Sequence, residues 1–386
     1  MSALSPAPSV PPVAEPASGI RPAPARVRLD SLTGLRWCAA FLVFCYHFAY
    51  EQAVSGIPRH VYRLKELTYA GPSAVSFFFI LSGFVLAWSA RSQDTAGRFW
   101  WRRFIRVYPS HVVTFCLAVI MLIWMGRTLQ PDVAAGNLGL IQAWVPNRRD
   151  WWFGYNGVSW SLSCEFLFYF TFPFVIPILR RLKSRGLWAV VVAGNLCVAC
   201  YPFFTGRIVR ATGWDAKFLL YILPPVRLAE FVVGISLALL VKRGAWRGPG
   251  LVSSLALCAV TVFGLVHVMP YNFHWAACTV VPFTLTIAAA ARADVLGEPS
   301  PFRNPYIVYL GEISFAFYLV HEMVIFSTRH FFRMHHVGIP LTLHMGLVAS
   351  LSLLGAVLLH EYVEKPGVRL LSRDRSSASG TSPSGA

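Results

Sequence analysis

The stretch LTGLRWCAAFLVFCYH, residues 32–47, is an apolar run that contains two ionisable side chains, Arg36 and His47. Eleven positions separate them, which is about three helical turns plus 20°, so both share one face of a helix. The rise per residue places His47 roughly 16 Å deeper than Arg36. An ionisable group at that depth is costly and is therefore a functional candidate, since a neutral imidazole can take a proton from a hydroxyl. The alternative is a structural histidine that is bonded to a serine or a carbonyl group.

The composition indicates a polytopic helical membrane protein. Hydrophobic residues make up 56% of the 386 residues, charged residues make up 13%, and the mean hydropathy is +0.55. Several apolar runs reach the length of about 20 residues that crosses a bilayer. We therefore predict an all-α fold with about ten transmembrane helices. The predicted spans are residues 34–51, 72–90, 107–126, 158–179, 187–204, 217–241, 250–268, 274–291, 306–328 and 341–361.

The net charge of +17 is distributed as in a membrane protein rather than as in a nucleic-acid-binding protein. If the N-terminus lies inside, the inner segments contain 21 of the 34 Lys and Arg residues, and the outer loops contain 11. This excess follows the positive-inside rule. We therefore predict a bacterial plasma-membrane protein with both termini in the cytoplasm and no nucleic-acid partner.

The predicted transmembrane domain covers residues 29–370. Residues 1–28 are rich in Pro, Ala and Ser, and residues 371–386 are rich in Ser, so both are expected to be disordered tails. All eight cysteines fall within predicted spans, and the one C-x-x-C pair, Cys197 and Cys200, lies in an apolar helix. Such cysteines are most simply small apolar residues, and we expect no metal site.

A cluster of aromatic and basic residues, FWWRRFIRVYP (residues 99–109), lies on the predicted cytoplasmic side. Arg103 and Arg106 are three apart and point the same way on a helical turn. With Arg102 they present forked donors that suit phosphate. The cluster is therefore either ordinary positive-inside charge beside an aromatic belt or a binding site for a phosphate-bearing co-substrate from the cytosol.

Glu165 follows the segment VSWSLSC, residues 158–164, and is expected roughly 10 Å below the outer surface. This depth is comparable with that of His47, although depth alone does not show that the two side chains touch. Glu165 is therefore a candidate to hold the imidazole in one tautomer and to stabilise the imidazolium. The alternative is a protonated carboxyl that is simply packed in the core.

The ninth predicted span contains a second deep histidine, His321, roughly 22 Å from the inner face. Ser314, Tyr318 and His321 fall close to one stripe, at spacings of four and three residues. These side chains either line a substrate cavity or pack in the core. On the sixth span, Arg227 and Glu230 are three apart, and we interpret them as a structural ion pair.

Together these segments resemble the membrane-bound acyltransferase-3 family over about residues 28–370. Each piece is short, but all of them occur in the family's order on ten predicted spans. One departure is SLTG at residues 31–34, where many members have Asp-Gly-Leu-Arg, but the R-x10-H spacing is intact. The matching pieces are residues 28–36 leading to His47, then 76–84, 103–109, 160–169, 314–321 and 364–366.

The resemblance implies transfer of an acyl group from cytosolic acyl-CoA to a hydroxyl of a sugar or another acceptor. It also implies that His47 is the family's essential histidine and Arg36 its paired arginine. Arg103 and Arg106 match the family's cytoplasmic R-x-x-R.

Within the family, the chain resembles the compact antibiotic-tailoring branch, which acylates hydroxyls of macrolides or their sugars. The length, the short loops and the lack of a fused extracellular domain support this. We expect acetyl- or propionyl-CoA as donor, a small-molecule acceptor with a free hydroxyl, and His47 as general base with Glu165 as its partner. Acylation of an envelope polysaccharide or lipid-linked sugar, transport and a scaffold role remain alternatives, and no oligomeric state is predicted. The expected substrate-binding residues are Arg36, Arg102, Arg103, Arg106, Tyr318 and His321.

Overall fold

A computed structural model describes residues 27–54, 59–91, 94–367 and 369. Within these ranges the chain forms fifteen α-helices, joined by short 3-10 and π-helical segments, and no strand. Apart from Val27 and Arg28, the predicted terminal tails lie outside the described residues. The helices are α1 (Asp30–Val54), α2 (Arg59–Leu67), α3 (Ala74–Ser89), α4 (Ala96–Trp124), α5 (Pro131–Leu138), α6 (Arg149–Trp152), α7 (Trp160–Arg181), α8 (Ser184–Thr212), α9 (Pro224–Lys242), α10 (Leu251–Val260), α11 (Val266–Val268), α12 (Val280–Leu296), α13 (Pro305–Glu312), α14 (Ser314–Met334) and α15 (Leu341–Leu359).

Eight helical stretches in the described part of the chain are long and apolar enough to cross a membrane. A ninth is added if α13 and α14, which meet at an angle of 66°, form one bent span. Helix α12 has 17 residues, which is the lower end of the length that crosses a bilayer, and it overlaps the predicted span 274–291. The all-α, multi-pass fold is therefore confirmed, and about ten spans are consistent with the structure.

The outer surface of the helical bundle is apolar. Phe203, Val252 and Leu343 are among many large hydrophobic side chains that are strongly exposed, whereas Ser76 and Arg227 are buried. A soluble protein has the reverse arrangement. The surface therefore fits contact with lipid chains, and the polar groups of the interior must find partners within the protein.

Helices α3 and α9 form the most extensive helix–helix contact in the bundle. Two glycines permit this approach, because a Cβ on Gly83 would overlap the carbonyl oxygen of Phe231, and a Cβ on Gly234 would overlap that of Ile80. Within a lipid bilayer, helices associate by close packing, and small residues let their backbones approach each other. The glycines therefore set the distance between α3 and α9.

The predicted ion pair on α9 is confirmed. Arg227 Nη2 lies 3.1 Å from Glu230 Oε2, and both side chains are almost fully buried. The same nitrogen donates to Ser76 Oγ on α3 at 2.8 Å, and the guanidinium lies over the ring of Phe79. A buried charge is tolerated when it is paired and hydrogen-bonded in this way, so the pair joins α9 to α3.

The N-terminal end of α1 is anchored to α12 and α13. Asp294 accepts hydrogen bonds from the backbone nitrogen and the hydroxyl of Ser31, at 2.9 and 2.6 Å, and from Arg303 Nε at 2.6 Å. A carboxylate at this position also complements the positive end of the helix dipole. On α13, a Cβ on Gly311 would overlap the carbonyl oxygen of Thr33, so the two backbones are in direct contact. These contacts fix the orientation of α1 and of the ionisable residues it carries.

We expect Gly234→Ala to destabilise the protein by about 1–3 kcal/mol, because the added methyl group overpacks the contact between α9 and α3. The apparent Tm in detergent measures the effect. Gly346→Ala on α15 is the matched control, since a Cβ there meets no atom within 4 Å. Equal Tm values for the two variants would contradict the close approach of the helices.

Candidate active site

Helix α1 places its two ionisable residues in two neighbouring cavities. Arg36 lines a cavity of about 70 Å³, here called the arginine cavity, together with Ser161 and Glu165 of α7. His47 lines a cavity of about 290 Å³, here called the histidine cavity, which extends toward the C-terminal end of α1. Tyr318 of α14 lines both cavities. Tyr318 therefore lies on the boundary between the arginine and histidine cavities.

The structure brings Arg36, Arg103, Arg106 and Glu165 together. Arg106 lies within electrostatic range of both Arg36 and Arg103, and Glu165 lies within range of all three. Glu165 itself accepts a hydrogen bond from the hydroxyl of Tyr169, one helical turn further along α7. Three positive charges and one carboxylate thus meet at the end of the bundle where α1 and α4 begin.

The consecutive arginines of α4 have different surroundings. Arg102 forms an ion pair with Asp94 at 2.7 Å. Arg103 lies over the ring of Phe99, and its Nε is buried without a hydrogen-bond partner among the described residues. A buried donor without an acceptor is costly, so Arg103 is the better placed of the two to bind an anionic ligand.

Glu364, near the C-terminal end of the described residues, also belongs to this region. It lies within electrostatic range of Arg36 and 2.7 Å from His360 Nδ1. The π-helical segment His360–Glu364 packs against α4. The short EKP motif at residues 364–366 was the only sequence signal for this contact.

His47 and His321 form a direct hydrogen bond, with 2.9 Å between His47 Nδ1 and His321 Nε2. Their ring planes are nearly parallel, at 6°. His321 is fully buried, whereas His47 is partly exposed to the histidine cavity. The two deep histidines predicted on different spans are therefore in contact.

The hydrogen-bond partners determine the tautomers of this pair. His321 Nδ1 lies 2.8 Å from the carbonyl oxygen of Tyr318 and 3.2 Å from that of Phe317. A carbonyl oxygen only accepts, so Nδ1 of His321 carries the proton and, in the neutral ring, Nε2 accepts from His47 Nδ1. The lone pair of a neutral His47 is then on Nε2. His321 thus leaves His47 in the form that can act as a base.

The hydrogen-bond partner of His47 is therefore His321, whereas the sequence offered Glu165 as a candidate for that role. Glu165 and His321 both lie at suitable depths, but Glu165 lines the arginine cavity and accepts a hydrogen bond from Tyr169. The rise per residue gives the depth of a side chain in the membrane but not its bearing toward other helices. This is why the depths alone did not distinguish Glu165 from His321.

Tyr318 is held firmly at the boundary between the cavities. Its hydroxyl lies 3.1 Å from Ser161 Oγ and donates to the carbonyl oxygen of Val158 at 3.1 Å. Both partners are buried on or beside the start of α7. The phenol therefore spans from α14 to α7 between Arg36 and His47.

The histidine cavity also contains residues that the sequence analysis did not select. Glu322 lines it, and Glu322 Oε2 is buried without a hydrogen-bond partner among the described residues. Lys217, Tyr221 and Trp275 line other parts of the wall. Glu322 directly follows His321 in sequence, which was the one available signal. No three His, Cys, Asp or Glu side chains converge as metal ligands within the described ranges.

Residues 29–361 match the profile of the acyltransferase-3 family, which is described as an acyltransferase domain. The chain belongs to this family. The chain is 42% identical to acyltransferase MdmB of Streptomyces mycarofaciens, over 93% of this chain and 97% of that protein. The multi-pass membrane bundle and the histidine pair are thus the scaffold and the candidate centre of an acyltransferase.

Two more distant relatives match smaller parts. Peptidoglycan O-acetyltransferase OatA of Listeria monocytogenes is 26% identical over 44% of this chain and 28% of its own length. Nodulation protein 10 of Rhizobium leguminosarum is 27% identical over 41% of this chain and 47% of its own length. No solved structure matches the chain.

We expect His47 to carry its proton on Nδ1 in the wild-type protein and to lose this preference in His321→Ala, because the acceptor for Nδ1–H is then absent. Solid-state NMR of 15N-histidine-labelled protein measures the tautomer, and His47→Ala identifies the signal. His335→Ala serves as control, because His335 is exposed just beyond the end of α14, and it should leave the His47 signal unchanged. A wild-type His47 protonated on Nε2 would refute the assigned hydrogen-bond direction.

Proposed function

We propose that this protein is a membrane O-acyltransferase that moves a short acyl group from acyl-CoA to a hydroxyl of a macrolide or its sugar. The observation that carries the proposal is the position of His47. It is oriented by His321 and lies on the cavity that meets the arginine cavity at Tyr318. A base thus lies between a site suited to an anionic donor and a cavity open to an acceptor.

The arginine cavity is suited to an acyl-CoA donor, with acetyl- or propionyl-CoA as the expected substrates. The phosphates of the donor would bind Arg103 and Arg106, and Arg36 would contact the phosphate or pantetheine portion of the donor. The buried, unpartnered Nε of Arg103 supports this role, as does the concentration of positive charge. Arg102, which is paired with Asp94, would contribute mainly to the surrounding potential.

The proposed reaction is direct transfer to the acceptor. His47 Nε2 takes the proton of the acceptor hydroxyl while its oxygen attacks the thioester carbonyl. The tetrahedral intermediate then collapses, the C–S bond breaks, and the leaving CoA thiolate takes the proton from the imidazolium. His321 accepts the Nδ1–H of His47 throughout and so stabilises the charged ring. A positioned general base of this kind contributes about 10²–10⁴-fold to rate.

The acceptor class rests on how much of each relative the chain matches. The alignment with MdmB covers both proteins almost completely, whereas only 28% of OatA is matched. This supports the resemblance to the antibiotic-tailoring branch over the enzymes that act on envelope polymers. The distribution of Lys and Arg supports a plasma-membrane location with both termini in the cytoplasm.

We expect His47→Ala to reduce acyl transfer by at least about 10²-fold, because the general base is lost. Membranes that contain wild-type or variant protein are incubated with labelled acetyl- or propionyl-CoA and a panel of macrolides, and products are identified by mass spectrometry. The Tm of His47→Ala is compared with the Tm values of wild type and Gly346→Ala to show that the variant is folded. Normal turnover by a folded His47→Ala protein would refute the role of His47, and labelled envelope sugars in place of macrolides would refute the acceptor.

We expect the double variant Arg103→Ala, Arg106→Ala to raise KM for acyl-CoA by about tenfold or more, because charge-assisted contacts to phosphate are lost. KM for the acceptor should change little. Arg98→Ala is the matched control, since Arg98 lies on the exposed first turn of the same helix. A donor KM that is equal in the double variant and in Arg98→Ala would place the donor elsewhere.

A further inference from the structure

A third, larger cavity of about 420 Å³ lies beside the histidine cavity, at the C-terminal ends of α1, α4 and α14. We call it the rim cavity. No step of the proposed mechanism uses it, and it lies at the end of the bundle opposite the arginine cavity. The side chains that line it include Leu122, Met125, Arg127, Tyr155, Phe326 and Arg333.

The rim and histidine cavities share part of one wall. Glu51, Phe153 and Phe326 line both of them. Glu51 forms an ion pair with Arg329, which also lines the rim cavity, so this pair marks the junction. A ligand that fills both cavities would therefore pass the Glu51–Arg329 pair on its way to His47.

The loop that closes the rim cavity is braced by charged side chains. Arg148 bonds to Asp150 at 2.6 Å and to Asp132 at 3.3 Å, across the segment between α5 and α6. Hydrogen bonds from Arg148 hold the pKa of the Asp150 carboxyl below its usual value. Asp150 lines the rim cavity, so this wall is built into the fold and does not depend on a ligand to form it.

The lining indicates the chemistry of the ligand. Met121, Met125, Val133 and Phe326 give an apolar floor, and thioether side chains adapt to irregular shapes. Arg127 and Arg333, at the rim, present donors but no acceptors. This combination suits a bulky ring that is apolar on one face and carries carbonyl and hydroxyl oxygens on its edge. At about 420 Å³, the rim cavity also falls within the range of about 300–1,000 Å³ typical of sites for drug-sized ligands.

We propose that the rim cavity binds the macrolactone ring of the acceptor, while the reacting hydroxyl lies in the histidine cavity. This assignment rests on the proposed function. It means that donor and acceptor approach His47 from opposite ends of the bundle, the donor from the arginine cavity and the acceptor from the rim cavity. The rim cavity then selects the acceptor, and the arginine cavity selects the donor.

The test fills the rim cavity without touching the proposed catalytic residues. Leu122→Trp on α4 projects a large ring into the cavity, and Ile123→Trp is the matched control because Ile123 is 60% exposed on the lipid-facing surface. KM and kcat are measured for wild type and both variants, with propionyl-CoA and the macrolide that the wild type acylates best. Met125→Trp, in the same cavity, is the second variant if Leu122→Trp does not accumulate.

We expect Leu122→Trp to raise KM for the macrolide by about tenfold or more, with KM for propionyl-CoA and kcat within about twofold of wild type, since only acceptor binding is lost. Ile123→Trp should behave as wild type. Macrolide KM values that are equal in Leu122→Trp, Met125→Trp and Ile123→Trp would overturn the rim-cavity assignment alone. A wild-type protein that acylates no macrolide would overturn both this inference and the proposed function. The activity of the wild type alone therefore distinguishes a failure of the proposed function from a failure of the rim-cavity assignment.

Discussion

The arrangement of the site depends on one constraint, which is that polar groups within the bundle must find their partners in the protein. His321 meets this constraint by bonding to a carbonyl of its own helix, and its other nitrogen is then left to accept from His47. The proton positions of both rings follow from the contact of His321 Nδ1 with backbone carbonyl oxygens. Because this hydrogen-bond chain is neutral, no charged partner is buried beside His47, which would be costly at this depth.

The positions of Arg36 and His47 along α1 determine which cavity each side chain lines. The N-terminal end of α1 is fixed by the Asp294 hydrogen bonds and by the backbone contact at Gly311, so Arg36 and His47 cannot move independently. The turns between them place the arginine at one cavity and the histidine at the next, with Tyr318 between. The close contact between α3 and α9 also supports this arrangement, because α3 packs against α1.

Much of this could be predicted from the sequence, because in a membrane both the length of apolar runs and the position of ionisable residues are restricted. The helical class, the ion pair of Arg227 with Glu230, and the deep positions of His47 and His321 follow from periodicity and hydropathy. The bearing of each side chain toward other helices does not, and so the sequence offered Glu165, and not His321, as the partner of His47. The rim cavity was not predictable either, since it forms where helix ends and a loop meet, and no single segment carries its pattern.

The identity of the partner of His47 has a consequence for the donor. A carboxylate next to a catalytic histidine stabilises the imidazolium by its charge, whereas His321 offers only a lone pair that is backed by a carbonyl. A base of this kind is best matched to an acyl group that is already activated and to a leaving group that takes up the proton readily. A thioester meets both requirements, because the thiolate leaves easily and then neutralises the imidazolium. The histidine pair thus gives a chemical reason, independent of the arginines, for the thioester donor that we propose.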